Sequence, residues 1–234
     1  MKRIFLSLTA VVFSSSALLA ADITGTITLK GTPPAEVALS GMEDNPDCIA
    51  MHEKTPTTHH YVVGSKGEFG NVVVYLQGMD GKSTGASAAP VVMDQKGCLY
   101  TPQILAIQTG QKLVVKNSDT CPHNVHVISA GGNGEKNDAQ FAGGADLNYT
   151  FSKPEMFMKV QCDVHPWMFA WISIFDHPYF AVTDTSGKFT IKNVPPGKYT
   201  LVAEHRKAGK QTQPVEVKDT AATVDFTFEV PAAK

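Results

Sequence analysis

The sequence predicts an all-β protein, and three observations carry that reading. Gly and Pro are frequent, at 19 and 14 of 234 residues. Val, Thr, Ile and Phe recur in short blocks bounded by turn residues, a pattern of strands. No stretch holds an apolar period long enough to predict a helix of any length. The length suits one or two domains. The formal charge is −2, and no Lys/Arg run resembles a nucleic-acid footprint, so nucleic acid is not an expected partner.

The elements follow in order. Lys2 and Arg3 precede a mostly apolar run, Ile4 to Leu19, broken by Ser14, Ser15 and Ser16. With small residues at Ala20 and Ala21 before Asp22, residues 1–21 read as a secretory signal peptide. The run is short and serine-rich for a membrane span, so none is expected in the mature chain; the alternative is a retained anchor. No Cys follows it, which argues against a lipoprotein. The expected compartment is the periplasm, or the cell surface or exterior, where disulfides form.

Ile23 to Leu29 alternates and ends in Lys30-Gly31-Thr32-Pro33-Pro34, a strand and a turn. Residues 35–70 are irregular and polar. Asn71 to Gln77, centred on Val-Val-Val-Tyr-Leu, reads as a buried strand. Gly78 to Pro90 reads as a linker. Leu105 to Asn117 reads as two strands about Gly110-Gln111. Val125 to Ile128 runs into the Gly-rich loop 131–144. Leu147 to Phe151, Met156 to Gln161 and Trp171 to Phe175 are further strands. In the tail, Phe180 to Glu204 gives three strands separated by Asp184-Thr185-Ser186-Gly187 and Pro195-Pro196-Gly197. Val215 to Val217 and Val224 to Phe228 complete the set.

The chemistry concentrates in Cys162-Asp163-Val164-His165-Pro166-Trp167-Met168, with Pro122-His123-Asn124-Val125-His126-Val127 upstream. Two imidazoles and a thiolate with a weak axial Met make the ligand list of a blue-copper site. No cluster of hard oxygen ligands competes, so Mg and Ca fit poorly. A structural zinc site would show four strong ligands. The spacing lets one loop deliver Cys162 and His165, with Met168 rising from the next strand as the axial ligand. His123 arrives from another segment. Asn124 can brace the Cys162 loop.

Alternation places His126 on the opposite face from His123, as a packed or solvent-facing side chain. His52, His59 and His60 read as loop residues. Cys121 reads as a packed thiol. Cys48 and Cys98, remote from both motifs in an oxidising compartment, are expected to form a disulfide. The His165 ring edge is expected at the surface, flanked by Pro166 and Trp167 as an apolar partner contact; the alternative places Trp167 in the core.

The two motifs resemble the cupredoxin family, its amicyanin branch most closely. The likeness lies in Pro-His-Asn-Val-His and the short Cys-x-x-His-Pro-x-Met loop, and spans about residues 90–175. It implies a Greek-key β-sandwich that shuttles single electrons on one Cu(I)/Cu(II) ion held by His123, Cys162 and His165 with axial Met168. Asp163 departs from the family, which tends to have a small hydroxyl or amide residue there; a carboxylate beside the thiolate would favour the oxidised ion. The tail, Thr183-Asp184 through Gly187-Lys188-Phe189 and Val194 through Leu201, resembles the carboxypeptidase regulatory-like, transthyretin-like sandwich. That implies a second, discontinuous β-sandwich, residues 22–80 plus 177–230, with the cupredoxin inserted at 90–175; the alternative is two unrelated β pieces flanking a cupredoxin.

The function expected is electron transport between a redox protein donor and acceptor, by a carrier rather than an enzyme. Two rivals remain: a copper storage, delivery or sensing module, and a cell-envelope structural protein.

Overall fold

The computed structural model describes residues 19–232, so the signal-peptide reading lies almost wholly outside the described residues. β1 (Ala21–Lys30) is followed by a long irregular stretch holding α1 (Pro46–Ile49), then by β2 (Val73–Leu76). The middle of the chain supplies β3 (Val91–Gln95), β4 (Tyr100–Thr101), β5 (Ile104–Gln108), β6 (Leu113–Asn117), β7 (His123–Ile128) and β8 (Lys136–Gln140). β9 (Leu147–Tyr149), β10 (Glu155–Gln161) and β11 (Phe169–Phe175) continue it. The tail adds β12 (Phe180–Val182), β13 (Lys188–Val194), β14 (Gly197–His205), β15 (Gly209–Val217), β16 (Ala222–Thr223) and β17 (Phe226–Glu229). The protein is all-β. Among the described residues no helix is long and apolar enough to cross a membrane.

Among the described residues, four sheets enclose two main cores. The first core lies between the sheets β5-β11-β10-β7-β8 and β4-β3-β6-β9. Met93, Leu113 and Val115 from one sheet meet Ile107, Val125, Met158, Val160 and Ile172 from the other. The second lies between β12-β2-β14-β15 and a sheet in which β1 pairs with β13, β16 and β17. Ile23, Ile27, Phe69, Leu76, Ile191, Leu201, Phe226 and Phe228 fill it. A smaller cluster of Val73, Ile104 and Phe175, with Tyr75, Trp171 and Phe180, joins the two. The Arg206 guanidinium lies 3.9 Å over the Trp171 ring across that junction, a cation–π contact.

β3 and β4 fall where the sequence names no single strand, and two further elements differ from the expectation more sharply. The helix α1 has four residues; the Asn45 side chain accepts from the Cys48 N–H at 3.1 Å and Pro46 opens the turn. One turn is too short to leave an apolar period, though Asn followed by Pro is a start signal. β8 lies inside the Gly-rich stretch expected to be a loop, pairing with β7 from His123↔Gln140 to Val127↔Lys136. It is a sheet edge, and its polar Lys-Asn-Asp-Ala-Gln sequence carries none of the alternation that marks a half-buried strand.

Residues 35–60 form a strap across one end of the first sandwich. Leu39, Met42 and Cys48 are buried in the first core, and Gly41 lies against the Trp167 ring.

Candidate metal centre

β10 and β11 are antiparallel, with Gln161 opposite Phe169, so the chain from Cys162 to Met168 is the loop of a hairpin. The Cys162 N–H donates to the Met168 carbonyl at 3.2 Å and the Met168 N–H to the His165 carbonyl at 2.9 Å. These bonds fold the loop inward. Cys162 and Met168 are buried, and His165 is only 4% exposed. His123 opens β7, which pairs with β10, and is buried as well.

His123 Nδ1 and His165 Nδ1 stand 2.9 Å apart. Cys162 Sγ is 3.8 Å from His165 Nδ1. The donor atoms of His123, Cys162 and His165 lie mutually within 4.8 Å. Met168 sits fully buried at the end of the same loop.

What aims His123 is Asp119, which the sequence reading missed. Its Oδ2 lies 2.9 Å from His123 Nε2 and accepts the Cys98 N–H at 2.8 Å; Oδ1 accepts the Gly97 N–H at 2.6 Å. With the Nε2 proton directed at Asp119, the Nδ1 lone pair is free to face His165. Burial would raise the Asp119 carboxyl, but these bonds outweigh it and hold it below the usual range. Burial would likewise lower His123; Asp119 and Cys162 outweigh it and raise the ring above its ordinary value. His165, without a carboxylate, is lowered by burial and by His123.

The two N–H groups reach Asp119 because Gly97 and Cys98 adopt φ of +67° and +51°. At Gly97 a Cβ would come within 2.9 Å of the His52 ring, whose Nε2 lies 2.7 Å from the Gly97 carbonyl oxygen. Glycine is required there by both conformation and space.

Asn124 spans the sheet to the loop. Its N–H points at Cys162 Sγ at 3.5 Å, and its Oδ1 accepts the Asp163 N–H at 2.7 Å. Burial would raise the Cys162 thiol; the bonds from His123 and from loop backbone N–H groups leave it below its ordinary range. A thiolate is the form a metal binds.

His126 turns outward from β7. Its Nδ1 is 2.9 Å from Asp163 and its Nε2 is 2.7 Å from Glu135. Cys48 and Cys98 are joined with a Cα–Cα separation of 5.5 Å, and Cys121 and Cys162 are free and buried. His59 and His60 stay in the irregular stretch, with His60 against Phe169.

The surface expectation for His165 is overturned. Trp167 packs against its ring, tilted by 47° at a centroid distance of 5.2 Å, and the strap closes over that side. Cys48, Cys98 and Cys121 all bring sulfur within 4.8 Å of a His165 ring nitrogen. Trp167 itself is half-buried, donating to the Cys98 carbonyl at 3.2 Å. Pro166 is exposed and Val164 is 59% exposed. Sequence periodicity carries no information about a strap 110 residues away in the chain that folds back on the loop.

Comparison with known proteins gives two kinds of likeness. The carboxypeptidase regulatory-like domain family matches residues 166–229. A copper-containing nitrite reductase from Thermus scotoductus SA-01 is similar at 23% identity and a TM-score of 0.35, over 38% of this chain and 23% of that one. A mutant of amicyanin in its Cu(I) form is similar at 18% identity and a TM-score of 0.33, over 43% of this chain and 97% of that one. The chain thus spans less than a quarter of the nitrite reductase. No curated protein matches.

Proposed function

We propose that this chain is an exported type 1 (blue) copper protein that passes single electrons between a donor and an acceptor protein in the periplasm. One ion would be held by His123, Cys162 and His165, with Met168 as the weak axial ligand. The observation that carries the reading is the convergence of two Nδ1 atoms and one sulfur in a buried, braced pocket. Two imidazoles, a thiolate and a thioether are a soft, mixed donor set that fits copper. Copper, when bound, supplies a one-electron Cu(I)/Cu(II) couple.

The chain's own residues do the rest. Asp119 fixes the His123 tautomer and ring plane. The Asn124 N–H at Cys162 Sγ stabilises negative charge on the sulfur. The hairpin bonds and Asn124 Oδ1 hold the loop, so the donor atoms have little freedom to shift when the charge changes. Burial of all four side chains excludes water, which would otherwise reorganise on each transfer.

The arrangement that goes with this reading is a cupredoxin-like sandwich, residues 90–175, inserted in a carboxypeptidase regulatory-like host, 22–80 and 177–230. Pro166 and Trp167 are the proposed partner contact. With His165 covered, Trp167 becomes the group between ligand and exterior.

The test is the visible spectrum of the full chain loaded with Cu(II). A strong thiolate-to-copper band is expected, and Cys162→Ser should abolish it while far-ultraviolet dichroism keeps its β signature. A copper-loaded wild-type protein without that band overturns the reading.

A further inference from the structure

The sulfur atoms beside the first site form a group of their own. Cys121 Sγ lies 3.7 Å from Cys98 Sγ, and Cys98 is bonded to Cys48. All three sulfurs lie within 4.8 Å of one another, and all three residues are buried. The Cys121 thiol lies 3.7 Å from the Cys98 sulfur and 3.6 Å from His123 Nε2, with an Asp119 carboxylate oxygen also within 4.8 Å. That His123 nitrogen is already directed at Asp119 at 2.9 Å. The first site uses none of the three sulfurs.

Three thiolates are what a soft monovalent metal selects. With metal–sulfur bonds of about 2.3 Å, sulfurs at the corners of a trigonal set stand about 4 Å apart. The Cys98–Cys121 spacing of 3.7 Å already matches, and only the Cys48–Cys98 bond has to open. Cys48 rides on a one-turn helix in the strap, the part of the first sandwich outside its sheets, so its retreat disturbs no strand pairing.

We propose that Cys48, Cys98 and Cys121 form a second site, for Cu(I), when the disulfide is reduced. A dithiol reductant supplies two electrons and two protons, becoming a disulfide itself, and leaves Cys48 and Cys98 as thiols. Cu(I) then binds the three sulfurs, and the displaced thiol protons pass to solvent. Reoxidation closes the disulfide and removes two of the three ligands, so the site exists in one redox state of the strap only. The two groups of donor atoms adjoin, because the His165 ring presents a nitrogen within 4.8 Å of the three sulfurs and its Nδ1 to His123 and Cys162. The His165 ring is shared between the two groups of donors.

The experiment is a Cu(I) titration of the full chain against a chromogenic Cu(I) chelator, without oxygen. The oxidised protein is compared with protein reduced by a phosphine that is then removed. The reduced protein should take one more equivalent of Cu(I) than the oxidised one. Reduced Cys121→Ser should lose that extra equivalent. Reduced Cys162→Ser should keep it, which separates this site from the first: if the first-site reading fails, the Cys121-dependent equivalent still stands. Cys48→Ser, which needs no reductant, leaves the Cys98–Cys121 pair and should bind Cu(I) at least tenfold more weakly than the three-sulfur state. Equal uptake by oxidised and reduced protein overturns the proposal. So does an extra equivalent that survives in Cys121→Ser, or a reduced protein that takes Zn(II) in place of Cu(I).

Discussion

The two sandwiches are walled by the same residue types but bury different things. The second core is closed and apolar; Thr183 and His205 are its buried polar side chains. The first buries Gln95, Asp119, His123, Asn124, Gln140 and His165, gathered toward the candidate metal centre and knitted together, and a separate set of Gln108, Thr109, Gln111 and Ser173, of which Gln108 and Gln111 tie down the 84–89 segment. Gln95 Nε2 donates to Gln140 Oε1 at 2.7 Å, and Gln140 Nε2 to the Val115 carbonyl at 2.9 Å. Asn117 Nδ2 ties the Cys121 carbonyl at 3.0 Å. Buried polar groups cost free energy unless they are bonded. Around His123 and Cys162 the fold gives up apolar packing to position donor atoms, and such groups are scarce in the second sandwich.

The largest expected effect breaks the scaffold without touching the site. Phe69 is fully buried and packs on His205 at 4.3 Å and Phe228 at 5.8 Å, centroid to centroid. Phe69→Ala should destabilise the protein by about 3–5 kcal/mol in denaturant unfolding. The metal spectrum of the molecules that remain folded should be unchanged. A spectrum that alters with Phe69 would mean that the two cores are coupled through the Val73–Ile104–Phe175 junction.

Acid should act on the same scaffold. His205 is driven from 6.5 to about 4, by burial first and then by Arg206 and His60. Above pH 6.5 the ring is neutral folded or unfolded, and the apolar site costs nothing. As pH falls from about 6.5 to about 4 the unfolded chain takes up the proton that the folded chain refuses, so stability falls. The loss approaches about 3 kcal/mol near pH 4. His205 Nδ1 accepts the Lys207 and Ala208 N–H groups at 3.2 and 3.1 Å. His205→Gln retains an acceptor and should flatten the slope across that window. An unchanged slope in the variant would assign the acid sensitivity to another group.

Within the site, Asp119 offers a finer test. Asp119→Asn keeps the shape but weakens the bond to His123 Nε2 and removes the negative charge. Residues that orient ligands in this way are worth about 10- to 100-fold in metal affinity, or about 1.4–2.7 kcal/mol. Copper competition with a chelator reads it. A variant that binds as tightly as wild type would show that strand β7 alone aims His123.

The contrast also explains what could be read in advance. His123, Asn124, Cys162, His165 and Met168 sit in two short motifs whose spacing is set by one strand start and one hairpin loop, so local sequence exposes them. Asp119 is invisible in that way. It lies in a turn, where Asn117 Oδ1 caps its N–H at 3.0 Å, and an acidic turn residue is ordinary. Its meaning comes from the Gly97–Cys98 turn, delivered by a different strand connection. The strap is harder still, since residues 35–60 carry no periodicity, and Leu39 and Met42 are isolated apolar residues that find their core only in three dimensions. The tail was legible because β13 and β14 alternate between clear turn signals. β15 was legible only at its end, where the alternation of Val215 and Val217 is buried; its first half is polar and faces outward.

The smallest effect belongs to the exposed rim beside Cys162. Asp163 was the residue expected to favour the oxidised metal, yet its charge is not bare. His126 Nδ1 lies 2.9 Å away, and Glu135 holds the other side of that ring at 2.7 Å. His126 is raised above its ordinary value, chiefly by Asp163 and then by Glu135, so the pairing favours the protonated ring, whose charge opposes that of the carboxylate. Glu135 is 70% exposed, and an exposed pair contributes about 0–1 kcal/mol. Glu135→Gln should therefore change stability by under about 0.5 kcal/mol, with a spectrum identical to wild type. Raising salt should shrink even that difference, because the pair is solvent-screened. The informative measurement is the reduction potential of Asp163→Asn. If His126 offsets the carboxylate, the potential should move little at low salt and less at high salt. A large upward move at low salt would show that Asp163 acts on Cys162 as an uncompensated charge, and that the rim, despite its exposure, belongs to the site.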